Sequence, residues 1–528
     1  MRTPRILLSA LTISALALTA CGGGSSDPST GGDPVDGKTF TMAVATDPGN
    51  LDPALTVLSV TRQVDRFLYA RLVETQDDGT VVEGLAEKWK ADTENATFTL
   101  REGITCSDGS PLTASDVAAN INFVGDPKNK SPLISVQMTP GTTATADDKA
   151  RTVTVKSGAP DPFLLLNVGS LPIVCGTGMK DRKLLAKGEA GTGMFEVSEI
   201  VPNDHYTLKR REDFAWGPGD WDVDEKGLPD EVVIKVIPNE STAANLLLSG
   251  DLSAATIVGP DQERLAAQNL FHADLRAPIG QMFFNQTAGR PTEEEDVRRG
   301  LVQALDLDSV GDVLTAGKGE PAEGMVTIAP NPCKGDTVSG NVPESDTAAA
   351  EDALDSAGWK VGSDGIRVKD GKKLSLTVLY STQTGPTVAS GAELVQQTWK
   401  KAGVDVELKS VDSTGLNEAL FSTGDWDVSM GPLTTGLPSW VVPFVSGPTP
   451  PQGTNFSHIE NSAYDAAVQK ASGKPGTEGC DDWQAAETEL YKAVDVVSYV
   501  DSVVPTFGNG TEFKANDGID PASIRMYE

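Results

Sequence analysis

Hydrolysis and metal capture each need particular side chains at particular spacings, and this 528-residue chain offers few of them. It contains three histidines, His205, His272 and His458, with no paired spacing that would hold a metal. Neither a G-x-S-x-G elbow nor an H-E-x-x-H pair occurs. The acidic run Glu293–Asp296 fits the first turn of a helix, where the dipole favours negative charge. With 75 acidic residues, chance carboxylate pairs carry no weight as candidate acids and bases. No catalytic residue, no metal site and no cofactor are therefore expected. A net charge of −32 repels phosphate backbones and argues against nucleic acid as a partner.

The amino-terminal stretch sets the compartment. Arg2 and Arg5 precede the apolar run Ile6–Ala20, too short for a membrane span, and small residues follow. Its ending, Leu18-Thr-Ala-Cys21, resembles the lipobox of bacterial lipoproteins. That resemblance implies a signal peptide over residues 1–20 and a lipid anchor on Cys21. Residues 21–37, rich in Gly, Ser, Asp and Pro, read as a flexible tether. Four cysteines remain: Cys106, Cys175, Cys333 and Cys480. Outside the cytoplasm an even number suggests two disulfides, with three connectivities open. Pairing within lobes, Cys106 with Cys175 and Cys333 with Cys480, crosses no domain boundary.

A chain this long must split into at least two lobes. Lys38–Ala45 and Arg151–Lys156 alternate as half-buried strands. Thr113-Ala-Ser-Asp116 reads as a capping box. Ser241 is a candidate N-cap for a helix ending near Gly250. The strand–helix–strand order from Leu374 to Val411 is a βαβ signature and predicts parallel pairing. Near the carboxy terminus, Asp482–Val500 reads as a helix and Val503–Phe507 as a last strand.

Several blocks in order resemble the bacterial extracellular solute-binding proteins of family 5, the peptide and nickel type of ABC importers. They are Leu85-Ala-Glu-Lys-Trp89, Thr97–Ile104 and Ser107–Val117, supported by Thr46-Asp-Pro, Phe67-Leu-Tyr69, Gly191-Thr-Gly193, Phe284-Asn285, Asp296-Val-Arg-Arg299 and Gly424-Asp-Trp-Asp427. The resemblance implies a two-lobed α/β fold of the periplasmic-binding-protein type, with an extra subdomain in lobe I. Lobe I would take residues 38–285, with the subdomain near 86–190, and 503–528. Lobe II would take 286–502.

The implied activity is solute capture between the lobes, with hinge closure, by a monomer on the extracytoplasmic face of the membrane. The implied partners are a peptide or peptide-like ligand, an ABC permease and its ATPase. Implied ligand contacts are Thr46, Asp47 and Asn285, with Leu433, Thr434, Thr435, Ser439 and Trp440 from one loop. Peptide-binding members often carry Trp and then Asp there. On a gap-free reading this chain has Leu433 and Ser439 in those positions. A buried ammonium without a carboxylate is costly, so a capped peptide or a less charged solute fits better than an ordinary short peptide. A non-peptide solute, a secreted hydrolase and a scaffold lipoprotein are the competing readings.

Overall fold

The computed structural model describes residues 32–528 apart from 77–78, 135–136, 330, 382–386 and 516–517. The signal segment and Cys21 lie outside the described residues. Among those described, no helix is long and apolar enough to cross a membrane.

One sheet runs through both halves of the molecule. Its strands lie in the order Asp405–Val411, Ser375–Ser381, Val428–Met430, Phe271–Phe284, Val496–Gly508, Ala254–Thr256, Thr39–Val44, Glu231–Val236, His205–Arg210 and Phe195–Val201. The outer members of each half include parallel pairs: Ser375–Ser381 with Asp405–Val411, as the βαβ pattern there predicts, and also Thr39–Val44 with Glu231–Val236. Between them run two long strands, Phe271–Phe284 and Val496–Gly508. They pair antiparallel from Phe271 opposite Gly508 to Phe283 opposite Val496, with register shifts around Gly280.

The hydrophobic cores divide about this ribbon. One draws on residues from Phe40 to Ala254 and from Phe513 to Met526. Two others draw on residues from Met282 to Val500. A four-stranded antiparallel sheet, with strands Ala86–Ala91, Asn95–Leu100, Thr152–Lys156 and Thr143–Asp147 in that order, forms a subdomain on the first half.

Several sequence blocks have legible structural roles. Thr113 caps the helix Ala114–Gly125, and Asp116 reaches back to the Thr113 N–H at 3.0 Å. Gly191 and Gly193 lie against the backbone of Phe67–Tyr69: an added Cβ would come within 2.3 Å of the Leu68 carbonyl oxygen and 2.5 Å of that of Phe67. Arg298, 4% exposed, donates to the carbonyls of Thr292, Glu293, Ala493 and Val494 and pairs with Asp495 at 3.0 Å. It thereby ties the entry into the second half to the exit from it. The disulfides are Cys106–Cys175 and Cys333–Cys480.

Two expectations are corrected. The carboxy-terminal helix is Cys480–Lys492, and the following strand begins at Val496. Val494 has φ of 53°, which ends the helix, and every residue from Val496 to Asp501 is buried. A continuous apolar run buried on both faces has no alternation by which to tell strand from helix. The helix expected to start at Ser241 is capped instead by Asn239, whose Oδ1 accepts from the Thr242 N–H at 2.8 Å. The Ser241 hydroxyl donates to Asp261.

Candidate functional site

A cavity of about 540 Å³ lies where the long strands enter the second half. That volume suits a small organic ligand or a few amino-acid residues. The long strands contribute Pro278, Ile279, Phe283 and Ser502. The strand ends Ser381 and Ser429–Met430, and the loop Gly431-Pro432-Leu433, form a second wall. The third wall is aromatic and aliphatic. Leu416 comes from the helix Ser413–Glu418, and Leu420 and Phe421 from the single π-helical turn Ala419–Thr423. Such turns recur where a helix must re-aim side chains at a site. Phe444, on the helix Pro438–Val445, and Phe456 complete the lining.

Phe456 is the centre of this wall. Its ring lies 5.3 Å from Phe283, 5.7 Å from Phe421, 6.0 Å from Trp426 and 6.5 Å from Phe444, at tilted or edge-on angles. Those angles match the ring quadrupoles and fix the rings' orientations. Among the described residues, none that lines the cavity carries a charge. Its polar side chains are those of Ser381, Ser429 and Ser502, and the Ser502 hydroxyl donates to the Ala277 carbonyl.

Gln281, 1% exposed, pins the loop. Its Oε1 accepts from the Leu433 N–H at 2.7 Å, its own carbonyl accepts from the Gly431 N–H at 3.1 Å, and its Nε2 donates to the Met325 carbonyl. The nearest buried carboxylate in sequence, Asp501, sits one residue before Ser502 and is fully buried. Arg276 approaches it at 3.3 Å. Burial raises its pKa to about 6 against the opposing pull of Arg276.

Of the residues singled out in the sequence, Leu433 lines the cavity. Thr434 is exposed, and Thr435 is 9% exposed with its hydroxyl unpartnered. Ser439 and Trp440 lie half-buried in the first turn of Pro438–Val445. Trp440 packs on a separate cluster with Phe163 and Trp483. Asn285, 1% exposed, has its amide engaged by backbone: Nδ2 donates to Trp426 at 2.9 Å, and Oδ1 accepts from the Thr287 N–H and hydroxyl.

Thr46 is exposed. Asp47 is partly buried and accepts from the N–H groups of Gly49 and Asn203 and from the Tyr206 hydroxyl. Burial resists its ionisation, but these donors outweigh burial and hold its pKa below the ordinary value. Sequence reading missed Phe283, Phe421, Phe444 and Phe456 as cavity residues, and Gln281 as the residue that holds the loop.

The chain resembles known transport proteins along most of its length. It is 26% identical over 502 residues to the periplasmic murein peptide-binding protein MppA of Escherichia coli (strain K12), covering 85% of each chain. It is 27% identical over 436 residues to the oligopeptide-binding protein OppA of Bacillus subtilis (strain 168), covering 76% of each. A solved substrate-binding protein of Microbacterium hydrocarbonoxydans, complexed with 4-hydroxybenzoate hydrazide, superposes with a TM-score of 0.67 at 25% identity, over 93% of this chain and all of that one. These relatives are non-enzymatic components that bind solute for transport, and their two-lobed α/β fold is the one described above. The model of the bacterial extracellular solute-binding proteins, family 5, matches residues 80–453, more than half of the chain, and the chain belongs to that family.

Proposed function

We propose that this protein is the lipid-anchored receptor of an ABC importer and that it captures an uncharged, largely apolar peptide or peptide-like solute. The observation that carries the solute class is the charge-free, aromatic-walled cavity of about 540 Å³. Aromatic rings around Phe456 favour a bulky apolar group, and Leu433 closes the wall where peptide-binding relatives often place Trp. With no carboxylate among the lining residues, a free peptide ammonium there would be unpaired and costly. A capped or cyclic peptide, or the interior of a longer one, has no such cost.

Cys21 is the proposed lipid attachment, and the stretch after it the tether that holds a monomeric receptor near its permease. Tethering raises the effective concentration of receptor at the permease. The ATPase on the far side supplies the energy.

The test is native mass spectrometry of the mature domain lacking Cys21, purified from its own host's culture, with the released solute identified after unfolding. A peptide mass with blocked or buried ends supports the reading. A free, strongly charged dipeptide or tripeptide overturns the solute class. A small aromatic non-peptide would shift the reading toward the class seen in the Microbacterium protein, whose ligand is 4-hydroxybenzoate hydrazide. Incorporation of labelled palmitate, lost on Cys21→Ser, tests the anchor.

A further inference from the structure

Phe163 belongs by sequence to the first half, but its side chain is seated in the second. Its neighbours Leu164 and Val168 pack into the core of the first half. Phe163 itself is fully buried among Cys333, Leu437, Ala471 and Trp483, all from the second. Its ring lies 6.1 Å from that of Trp483. The Cys333–Cys480 disulfide forms part of the receiving wall.

The loop that presents Phe163 is stiff. Asp161 stands between Pro160 and Pro162, whose rings fix φ. The Asp161 carboxylate accepts from the Phe163 N–H at 2.9 Å and from Asn167 Nδ2 at 2.9 and 3.1 Å. Beside it, the Pro162 carbonyl accepts from the Gly476 N–H of the second half at 2.7 Å. A second projection of the first half meets the same surface. Gly79, at φ +82°, comes so close to Pro332 that an added Cβ would lie 2.8 Å from its Cα. The crossover strands are thus not the only place where the halves meet.

We propose that Phe163 is a clasp: a preorganised aromatic key on one lobe that enters a disulfide-walled socket on the other and holds the lobes closed. Opening the lobes would return a fully buried Phe side chain and the face of Trp483 to water, so the clasp biases the equilibrium toward closure. It is a positioning residue for capture, since it acts on the lobes and lines no part of the solute cavity. The clasp goes beyond the receptor reading and does not depend on the identity of any solute.

The test therefore uses the mature chain freed of co-purified solute by dialysis from denaturant with both disulfides intact. Hydrogen exchange at the Gly476 amide reads the clasp directly, and small-angle scattering reads the separation of the lobes. Phe163→Ala is expected to speed exchange at Gly476 by about 10-fold or more and to increase the radius of gyration, while amides of Thr152–Lys156 in the same subdomain keep their protection. Trp483→Ala, on the receiving lobe, is expected to do the same, so the proposal stays testable if one variant folds poorly. Exchange at Gly476 and scattering equal to the wild type in both variants would overturn the clasp. Equal acceleration throughout Thr152–Lys156 would overturn it too, because Phe163 would then be a support of its own subdomain.

Discussion

Two loops leave the carboxyl ends of strands in the main sheet, one in each half, and they treat charge in opposite ways. After Thr39–Val44, the Thr46–Asp47 loop carries a carboxylate, and the fold uses all of it to tie Gly49, Asn203 and Tyr206 together. After Val428–Met430, the Gly431–Leu433 loop carries no charge and presents apolar surface to a cavity, with its own backbone held by Gln281. A charged residue in a motif block can thus be an internal brace, while the uncharged wall is the one the proposed solute would meet. The same position in the architecture serves two ends, and only hydrogen-bond accounting tells them apart.

The largest effect is expected from Phe456→Ala. Removing the ring that four other aromatics touch should cost about 3–4 kcal/mol of stability and abolish retention of the co-purified solute, read by melting and native mass spectrometry. On the other side of the comparison, Asp47→Ala leaves the Tyr206 hydroxyl and two N–H groups without their acceptor. It should cost about 2 kcal/mol yet leave solute retention unchanged; lost retention in a folded variant would break the contrast between the loops.

The pH dependence at Asp47 has a definite sign. A carboxyl whose folded pKa is depressed contributes stability above its unfolded pKa, about 3.9, and that stability is lost as pH falls through the folded value. The gap between wild type and Asp47→Asn should be constant above about pH 5 and close below pH 4.

Asp501 carries the opposite sign. Its folded pKa, about 6, exceeds the unfolded one, so its favourable contribution is complete below about pH 4 and lost as pH rises through 6. Asp501→Asn should therefore gain on the order of 1–2 kcal/mol over wild type at pH 8 and nothing at pH 4, measured by denaturant titration at both. The smallest effect is expected at exposed Thr434, where Thr434→Ala should change stability by less than about 0.5 kcal/mol.

Most of the fold was legible because its signals are local. The capping box at Thr113, the βαβ unit from Leu374 and the glycines that let residues 191–193 lie on Phe67–Tyr69 are each written within a few residues. The strand from Val496 was not, because burial on both faces erases the alternation that marks a strand. The site was less legible still. Leu433 could be found by its place after the Val428–Met430 strand. Phe283, Phe421, Phe444 and Phe456 come from four separate segments with no common spacing, and only tertiary packing makes them one wall. Asn285 and Asp47 stand out in the sequence as polar residues in motif blocks, and the hydrogen bonds they make in the structure run to the chain itself.

The two ends of the described chain meet. Pro34 pairs with Tyr527, and the Val35 N–H donates to the Met526 carbonyl at 2.8 Å. A purification handle or surface attachment after Glu528 would therefore grip the same half as one placed before Pro34 and leave the other half untouched. Fluorescent reporters at both ends would stay at a fixed separation whatever the solute did. If the halves move as the proposed receptor requires, a biosensor made from this scaffold needs one of its two labels in the second half, among the segments that build its cores from Met282 to Val500.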